Sequence, residues 1–495
     1  MTELDRDTAW RHLDPRMLLV HPVNELVRFL PLVIGVIVLG SGDTGAPWEY
    51  VGVVVPIAIG IGRFLSTRFR ISTAQIELRR GLLNRSVLTA PLDRVRTVEL
   101  TASPIHRLLG LAKVEIGTGS GSRTGDSRLV LDSLAAAEAR RLRTDLLHRA
   151  EPTATAAPEA PEAPEETLIV AFDPAWARYA PLTTSGFVIV LAALGAAGQV
   201  SGNVVERLVQ SSAVDDQVGA LPLVLAVPAA VVAFVVVVSA LAIGGYLLAN
   251  WGFTLSRDGS GRAFHVRRGL LTTRETSLDV DRLRGLESHE PLGLRLGGGG
   301  RLSAVVTGLS RRSAESTTLL PAAPRALVLS VGEHVLGEAG PLSARLVLHG
   351  PAARRRRFVR ALAGTGLAPV VLGLLALLAD WPVWAAVIGL LAPAGGLLLA
   401  ADRYAGLGHA LTDRHLVVRA GSFAGRRDVL QRAGIIGWNI RQSWFQRRAG
   451  LVTLTATTAA GKQAYSAVDV PEQVAVALAD AAVPDLVGQF LRSSS

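Results

Sequence analysis

The chain is 495 residues long, 49% of its residues are hydrophobic, and its formal net charge is +10. It contains no cysteine, which excludes disulfide bonds, thiolate metal sites and cysteine nucleophiles. The positive mean hydropathy of +0.36 arises from a few long apolar runs, a pattern that is typical of an integral membrane protein.

The apolar runs come in three pairs. Because a helix needs about 20 apolar residues to cross the hydrocarbon core of a bilayer, the sequence predicts six transmembrane helices. The runs are Leu26–Gly40, Trp48–Leu65, Tyr179–Gly198, Leu221–Trp251, Phe358–Leu378 and Trp381–Ala401.

The distribution of arginine predicts the topology. The three short loops within the pairs contain one cation, Arg207, whereas dozens of cations lie in the termini and in the segments between the pairs. Since positively charged segments stay on the cytoplasmic side, we expect both termini in the cytoplasm and the short loops outside. The sequence therefore predicts a multi-pass protein of the plasma membrane.

A similar polar segment follows each helix pair. In each one a strand-like stretch ends at a glycine, and an arginine follows 13, 13 or 11 residues later. Three occurrences, each directly after a helix pair, indicate an internal repeat. The glycine and arginine of the three segments are Gly81 and Arg94, Gly269 and Arg282, and Gly421 and Arg432.

Each repeat has the pattern of a small α+β module. Residues Gln75–Arg79 alternate polar and apolar side chains, as a half-buried strand does, and the glycine after them suits a turn with positive φ. Further strands are predicted at Val114–Ile116 and Arg128–Leu131, and a closing helix at Leu134–Leu147, with a counterpart at Gln473–Ala482.

These elements divide the chain into nine parts. They are a cytoplasmic N-terminus (1–25), helix pair 1 (26–65), module 1 (66–150), a linker rich in proline, alanine and glutamate (151–167), helix pair 2 with its flanks (168–251), module 2 (252–335), a connector with a basic run (336–357), helix pair 3 (358–401) and module 3 (402–495).

This order of two membrane helices, a strand, basic residues with a glycine, and an arginine-bearing segment resembles the bacterial PH-like, membrane-flanked domain family. Three such units are similar to the larger, YdbT-like members of that family. The resemblance implies a PH-like fold for each module, which is a strongly bent antiparallel sheet closed by a C-terminal helix. It implies neither a catalytic residue nor a ligand.

The repeated arginines Arg94, Arg282 and Arg432 have two interpretations. They could bind lipid headgroups or a partner's phosphate, or they could satisfy backbone carbonyls and carboxylates within each module. Their repetition in modules that otherwise diverge favours the structural role.

The run Arg354–Arg357 is the densest cluster of positive charge, and it precedes the fifth predicted helix. It is sufficiently explained as the cytoplasmic flank of that helix. It is also a candidate contact for anionic lipid, because clusters of about four cations beside a membrane helix attract acidic headgroups.

No pattern in the sequence indicates an enzyme. No metal-binding histidine pair, nucleophile elbow or phosphate loop occurs, so we expect no catalytic, cofactor or metal site. The cations follow the membrane boundary, which argues against nucleic acid as a partner. We expect a non-catalytic scaffold or binding platform that acts with lipids, with other membrane proteins or by self-association. The alternative is a component of a transport or export system.

Overall fold

The computed structural model describes most of the polar segments and part of the apolar runs. The described residues are 10–17, 65–72, 75–80, 86–91, 95, 97–117, 128–148, 166–183, 223–307, 317–378, 387, 389–484 and 486.

The chain forms two compact units. Unit 1 comprises Met1–Phe172, Leu248–Arg282 and Thr307–Ser310, and unit 2 comprises Asp173–Leu247, Leu283–Val306 and Arg311–Ser495. The boundary at Arg282 and Leu283 falls in the middle of module 2, so this module contributes strands to both units.

Unit 1 is built from eleven described strands and two described helices. They are β1 (Arg11–His12), β2 (Arg68–Ile71), β3 (Gln75–Arg80), β4 (Ser86–Pro91), β5 (Thr97–Ala102), α1 (Pro104–Leu108), β6 (Leu111–Gly117), β7 (Arg128–Ala135), α2 (Ala136–His148), β8 (Thr167–Ala171), β9 (Thr254–Arg257), β10 (Ala263–Arg268) and β11 (Thr273–Asp279).

The described strands of unit 1 form two antiparallel sheets. One has the order β1-β2-β3-β4 and the other the order β7-β6-β5-β11-β10-β9-β8. Alternate residues of the strands point inward, for example Val114 and Ile116 of β6, which are fully buried. They pack with Phe69 of β2, Ile76 of β3 and Leu142 of α2 in one hydrophobic core.

Unit 2 contains the described apolar helices and the remaining described strands. Its elements are α3 (Leu223–Asn250, whose last three residues belong to unit 1), β12 (Leu283–Pro291), α4 (Leu292–Leu296), β13 (Gly299–Val306), β14 (Thr318–Pro324), α5 (Arg325–Leu336), α6 (Gly350–Thr365), α7 (Leu367–Leu378), α8 (Leu391–Ala405), β15 (Gly408–Leu411), β16 (His415–Ala420), β17 (Ala424–Gln431), β18 (Gly437–Arg441), α9 (Trp444–Arg448), β19 (Leu451–Thr457), β20 (Ala464–Pro471) and α10 (Glu472–Ala482).

The sheets of unit 2 have the orders β14-β13-β12-β17-β16-β15 and β18-β19-β20. Module 3 folds around a core that includes Leu416 and Leu430 of the first sheet, Leu454 of the second, and Ala475 and Leu478 of α10. This is the PH-like arrangement of two packed sheets with a C-terminal helix.

The sheets continue from one module into the next. In unit 1, β5 of module 1 pairs with β11 of module 2, from Thr97 opposite Leu278 to Ala102 opposite Thr273. In unit 2, β12 of module 2 pairs with β17 of module 3, from Gly285 opposite Leu430 to Pro291 opposite Ala424. The sequence predicts three separate modules, and it does not predict that backbone hydrogen bonds join them into shared sheets.

Several local predictions are confirmed. The predicted strand at Gln75–Arg79 is β3, and the predicted closing helices are α2 and α10. The glycines that end the strand-like stretches in modules 2 and 3 adopt positive φ, 110° at Gly269 and 104° at Gly421. Gly81 lies outside the described residues.

Two described segments are long and apolar enough to cross a membrane, namely Val232–Asn250 and Gly350–Leu378. They correspond to the fourth and fifth predicted helices. The residues of helix pair 1 other than Leu65, and most of the third predicted helix, lie outside the described residues. The described start of that third helix, including Tyr179, belongs to a 3₁₀ helix at Pro174–Leu182. The sixth predicted helix is described chiefly as α8.

Candidate functional site

The arginine run converges on one buried carboxylate in module 3. Asp469 of β20 has no exposed side-chain surface, and its two oxygens face Arg356 and Arg357 of α6. The ion pair between Arg357 Nη2 and Asp469 Oδ2 measures 2.7 Å. Gln446 Nε2 of α9 donates to Asp469 Oδ1 over 2.9 Å. We call these four residues the Asp469 junction, and it ties α6 to the second sheet of module 3.

A β-bulge directs Asp469 toward α6. Val452 pairs with Val470 and Leu454 pairs with Ala467, so that two residues of β20 lie opposite Thr453. Such a bulge bends a strand and changes the direction of a side chain. Asp469 adopts a φ of 60°, a left-handed conformation that aspartate tolerates better than most residues do.

A histidine pair lies beside the junction. His349 Nδ1 donates to the carbonyl oxygen of Val468 over 2.9 Å, which leaves His349 Nε2 as an acceptor for His409 Nδ1 at 3.2 Å. Burial lowers the pKa of both rings, and burial together with the neighbouring His349 lowers the pKa of His409 to about 4. Both histidines are therefore neutral near pH 7. The Val468 carbonyl fixes the tautomer of His349, and His349 in turn fixes that of His409.

The structure divides the arginine run in two. The sequence places the run before the fifth predicted helix. In the structure, helix α6 begins at Gly350 and includes all four arginines. Arg356 and Arg357 point to Asp469, whereas Arg354 and Arg355 are exposed. The Arg354 guanidinium lies 5.7 Å from the centre of the Phe358 ring. Of the four arginines of the run, Arg354 and Arg355 are thus the two with exposed side chains.

The family model of the bacterial PH domain matches this chain twice, at residues 25–150 and 362–485. These stretches of 126 and 124 residues make up about half of the 495-residue chain. The chain belongs to the bacterial PH domain family. The family resemblance seen in the repeats is thereby confirmed, and the two matches cover modules 1 and 3. A comparison with curated proteins and one with solved structures each found no match.

Membership in the bacterial PH domain family supports a role as a binding module, because PH domains generally bind lipids or proteins. It assigns no catalytic residue. Among the described residues, no group of three or more His, Cys, Asp or Glu side chains could hold a metal ion.

The two described arginines of the repeats in this bacterial PH chain contact backbone: Arg282 of module 2 bonds to module 1, and Arg432 bonds within its own module 3. In unit 1, Arg282 Nη1 donates to the Val95 carbonyl over 2.5 Å, and Arg282 Nε lies 3.1 Å from Asp279 Oδ2. In unit 2, Arg432 donates three hydrogen bonds to the carbonyls of Asp413, Ala481 and Ala482, over 2.7–2.9 Å. These contacts favour the structural interpretation. Arg94 lies outside the described residues.

A second buried cluster lies where module 2 pairs with module 3. Glu287 of β12 lies directly opposite Asp428 of β17, and both side chains are buried. Glu287 Oε2 accepts from Lys462 Nζ at 2.7 Å and lies 3.1 Å from His289 Nε2. Asp428 Oδ2 accepts from Arg426 Nε at 2.8 Å, while Asp428 Oδ1 has no hydrogen-bond partner among the described residues.

The two carboxyl groups have opposite shifts of pKa. Burial would raise the pKa of Glu287, but the hydrogen bonds from His289 and Lys462 outweigh it and lower that pKa to about 2. Burial raises the pKa of Asp428 to about 7, and the nearby charge of Arg426 does not offset this effect. At a pH between these two pKa values, the two carboxyl groups together hold one proton, which is on Asp428. One negative carboxylate charge is therefore buried where β12 pairs with β17.

This proton makes a pH-dependent contribution to stability. Because the pKa of Asp428 is higher in the folded protein, its contribution is present below the unfolded-state value of 3.8 and is lost as the pH rises through about 7. We expect Asp428→Asn to gain stability relative to the natural chain by about 1.4 kcal/mol per pH unit between pH 5 and 7, and to show a constant difference above pH 7.5. Unfolding temperatures in mild detergent from pH 5 to 8.5 would measure this.

The control for this prediction is Asp480→Asn, since Asp480 is exposed on α10. Its stability should run parallel to that of the natural chain over the same pH range. Parallel curves for Asp428→Asn as well would mean that Asp428 is ionised throughout and that Arg426 compensates its burial.

Sequence reasoning missed both acidic centres. Asp469 carries only a weak signal, as a charged residue inside a strand that is otherwise apolar or small. Glu287 and Asp428 are 141 positions apart, and only the pairing of β12 with β17 brings them together.

Proposed function

We propose that this chain is a multi-pass protein of the plasma membrane that presents three PH-like modules at the cytoplasmic face. Its role is that of a non-catalytic platform that binds lipids or other proteins. The proposed topology has six transmembrane helices in three pairs, with both termini in the cytoplasm.

The observation that carries the proposal is the Asp469 junction. Through it, a PH-like module is fastened to the arginine-rich start of Gly350–Leu378, a segment apolar enough to cross a membrane. Cations at the start of such a segment favour a cytoplasmic position. A module held at that point would lie against the inner leaflet, where the exposed Arg354 and Arg355 are candidate contacts for anionic headgroups.

The non-catalytic role is supported by how the polar groups of the junction are used. Arg356, Arg357 and Gln446 direct their donors to Asp469, and the two histidines bond to each other and to a backbone carbonyl. These groups hold elements together, which is a structural use of charge.

The alternative function, a component of a transport or export system, would be favoured by polar or ionisable residues deep in the membrane along a water-accessible path. Val232–Asn250 contains no Asp, Glu, Lys or Arg, and neither does the part of α7 at Leu367–Leu378. These described segments favour the platform.

Reporter fusions after residues 45, 150, 210, 330 and 495 would test the topology. A reporter that is active only in the periplasm should work at 45 and 210 and should be silent at 150, 330 and 495, because the cations of the long segments retain them in the cytoplasm. Activity at 150 or 330 would contradict the proposed topology.

A further inference from the structure

A cluster of exposed aromatic and basic side chains lies on module 3. Helix α9 places Trp444 and Phe445 side by side, with exposed fractions of 58% and 69%. The two rings meet edge to face with their centres 4.9 Å apart. Ile440, at 46% exposure, adds a third apolar side chain. We call residues 440–448 the aromatic tip.

The aromatic tip is positively charged. Arg441, Arg447 and Arg448 are exposed, and the Arg448 guanidinium lies 4.8 Å from the centre of the Trp444 ring. No aspartate or glutamate occurs anywhere in residues 429–468. The tip therefore combines large apolar rings with a local excess of cations, and an anionic surface is its complement.

The aromatic tip is held next to the start of a candidate membrane span. Gln446 is the buried residue of α9, and its side chain reaches the same carboxylate that Arg356 and Arg357 of α6 approach. A capping box between Ser443 and Gln446 fixes the helix in this position. Because α6 continues into the apolar Leu367–Leu378 segment, α9 lies at the level where that span would leave the bilayer.

We propose that the aromatic tip is a membrane-contact site, in which Trp444 and Phe445 enter the headgroup region and Arg441, Arg447 and Arg448 bind anionic lipid. Tryptophan favours this region because its ring is apolar and its N–H is polar. The inference rests on the proposed function, since it requires module 3 to face the inner leaflet. It adds a lipid contact made by residues other than the exposed Arg354 and Arg355 of the arginine run.

A second copy of the chain is the competing occupant. Charge argues against it, because pairing two identical tips would bring six arginines together without a carboxylate from residues 429–468. An anionic leaflet supplies the missing negative charge without a further protein.

The absence of cysteine makes a direct test practical. A spin label on Phe445→Cys would report the surroundings of the tip in the full-length protein, and a label on Ala459→Cys is the matched control. Ala459 is exposed and follows the far end of β19, a strand of seven residues or about 20 Å. The protein is placed in nanodiscs of phosphatidylcholine alone or of phosphatidylcholine with phosphatidylglycerol. Collisions with dissolved oxygen and with a water-soluble nickel chelate are then compared.

We expect the label at 445 to collide mainly with oxygen and the label at 459 mainly with nickel. The preference for oxygen at 445 should be larger with phosphatidylglycerol, and combining Arg441→Ala, Arg447→Ala and Arg448→Ala should remove that lipid dependence. All three arginines are exposed, so an unchanged unfolding temperature should accompany the loss.

Two results would overturn the inference. One is a label at 445 that is as accessible to nickel as the label at 459 in both lipids. The other is a label at 445 that is shielded from both reagents and shows spin–spin broadening, which would identify a second copy as the occupant. If the reporter fusions agree with the proposed topology, either result would reject the membrane-contact site. It would not contradict the proposed function as a binding platform.

Discussion

Replacing Asp469 with alanine should destabilise module 3 by about 3–5 kcal/mol, because Arg356 and Arg357 would keep their positions without their buried counter-ion. Alanine would also have to adopt the left-handed φ of 60°, which adds strain. We expect a large fall in unfolding temperature in mild detergent and early proteolysis of the C-terminal part of the chain.

Three further variants test the cause of that loss. Asp480→Ala removes an exposed carboxylate from α10 and should have almost no effect. Asp469→Asn can still accept the hydrogen bond from Gln446, so it should lie between Asp469→Ala and the natural chain. Adding Arg356→Ala and Arg357→Ala to Asp469→Ala should recover part of the stability, because the unpaired charges are then absent. Additive losses would show that the ion pairs contribute nothing.

The sequence predicts those features of the fold that depend on local patterns. Alternation of side chains located β3, helical spacing located α2 and α10, and the repeated glycines marked turns at Gly269 and Gly421. Each of these signals lies within about 15 consecutive residues, where backbone geometry determines which residue types fit.

The features that the sequence does not predict depend on distant residues. The pairing of β5 with β11 and of β12 with β17 joins strands of different modules. The sequence of an edge strand does not indicate which distant strand it will pair with. The roles of Arg356 and Arg357 were missed for the same reason. Their neighbours in the chain are two more arginines, and only the bulge in β20 brings Asp469 to them.

Gly285 makes the joint between modules 2 and 3 possible. It lies opposite Leu430 in the pairing of β12 with β17, and it follows an irregularity in the pairing of β12 with β13. Its φ of 154° is one that side chains rarely allow, and a Cβ there would lie 1.9 Å from the carbonyl oxygen of Val429. The two strands can come together at this point only if no side chain is present.

We therefore expect Gly285→Ala to separate β12 from β17 and to cost more than about 3 kcal/mol, since the clash is with backbone and adds to the strain in φ. The control is Gly298→Ala, which has a φ of 69° but no atom within 4 Å of the added Cβ, so it should cost only about 1 kcal/mol. Hydrogen exchange would locate the effect: the amides of β12 and β17 should lose protection in Gly285→Ala, while those of β19 and β20 keep it. Equal losses of stability in the two variants, with the β12 and β17 amides still protected, would show that the joint tolerates a side chain and that the continuous sheet does not depend on this glycine.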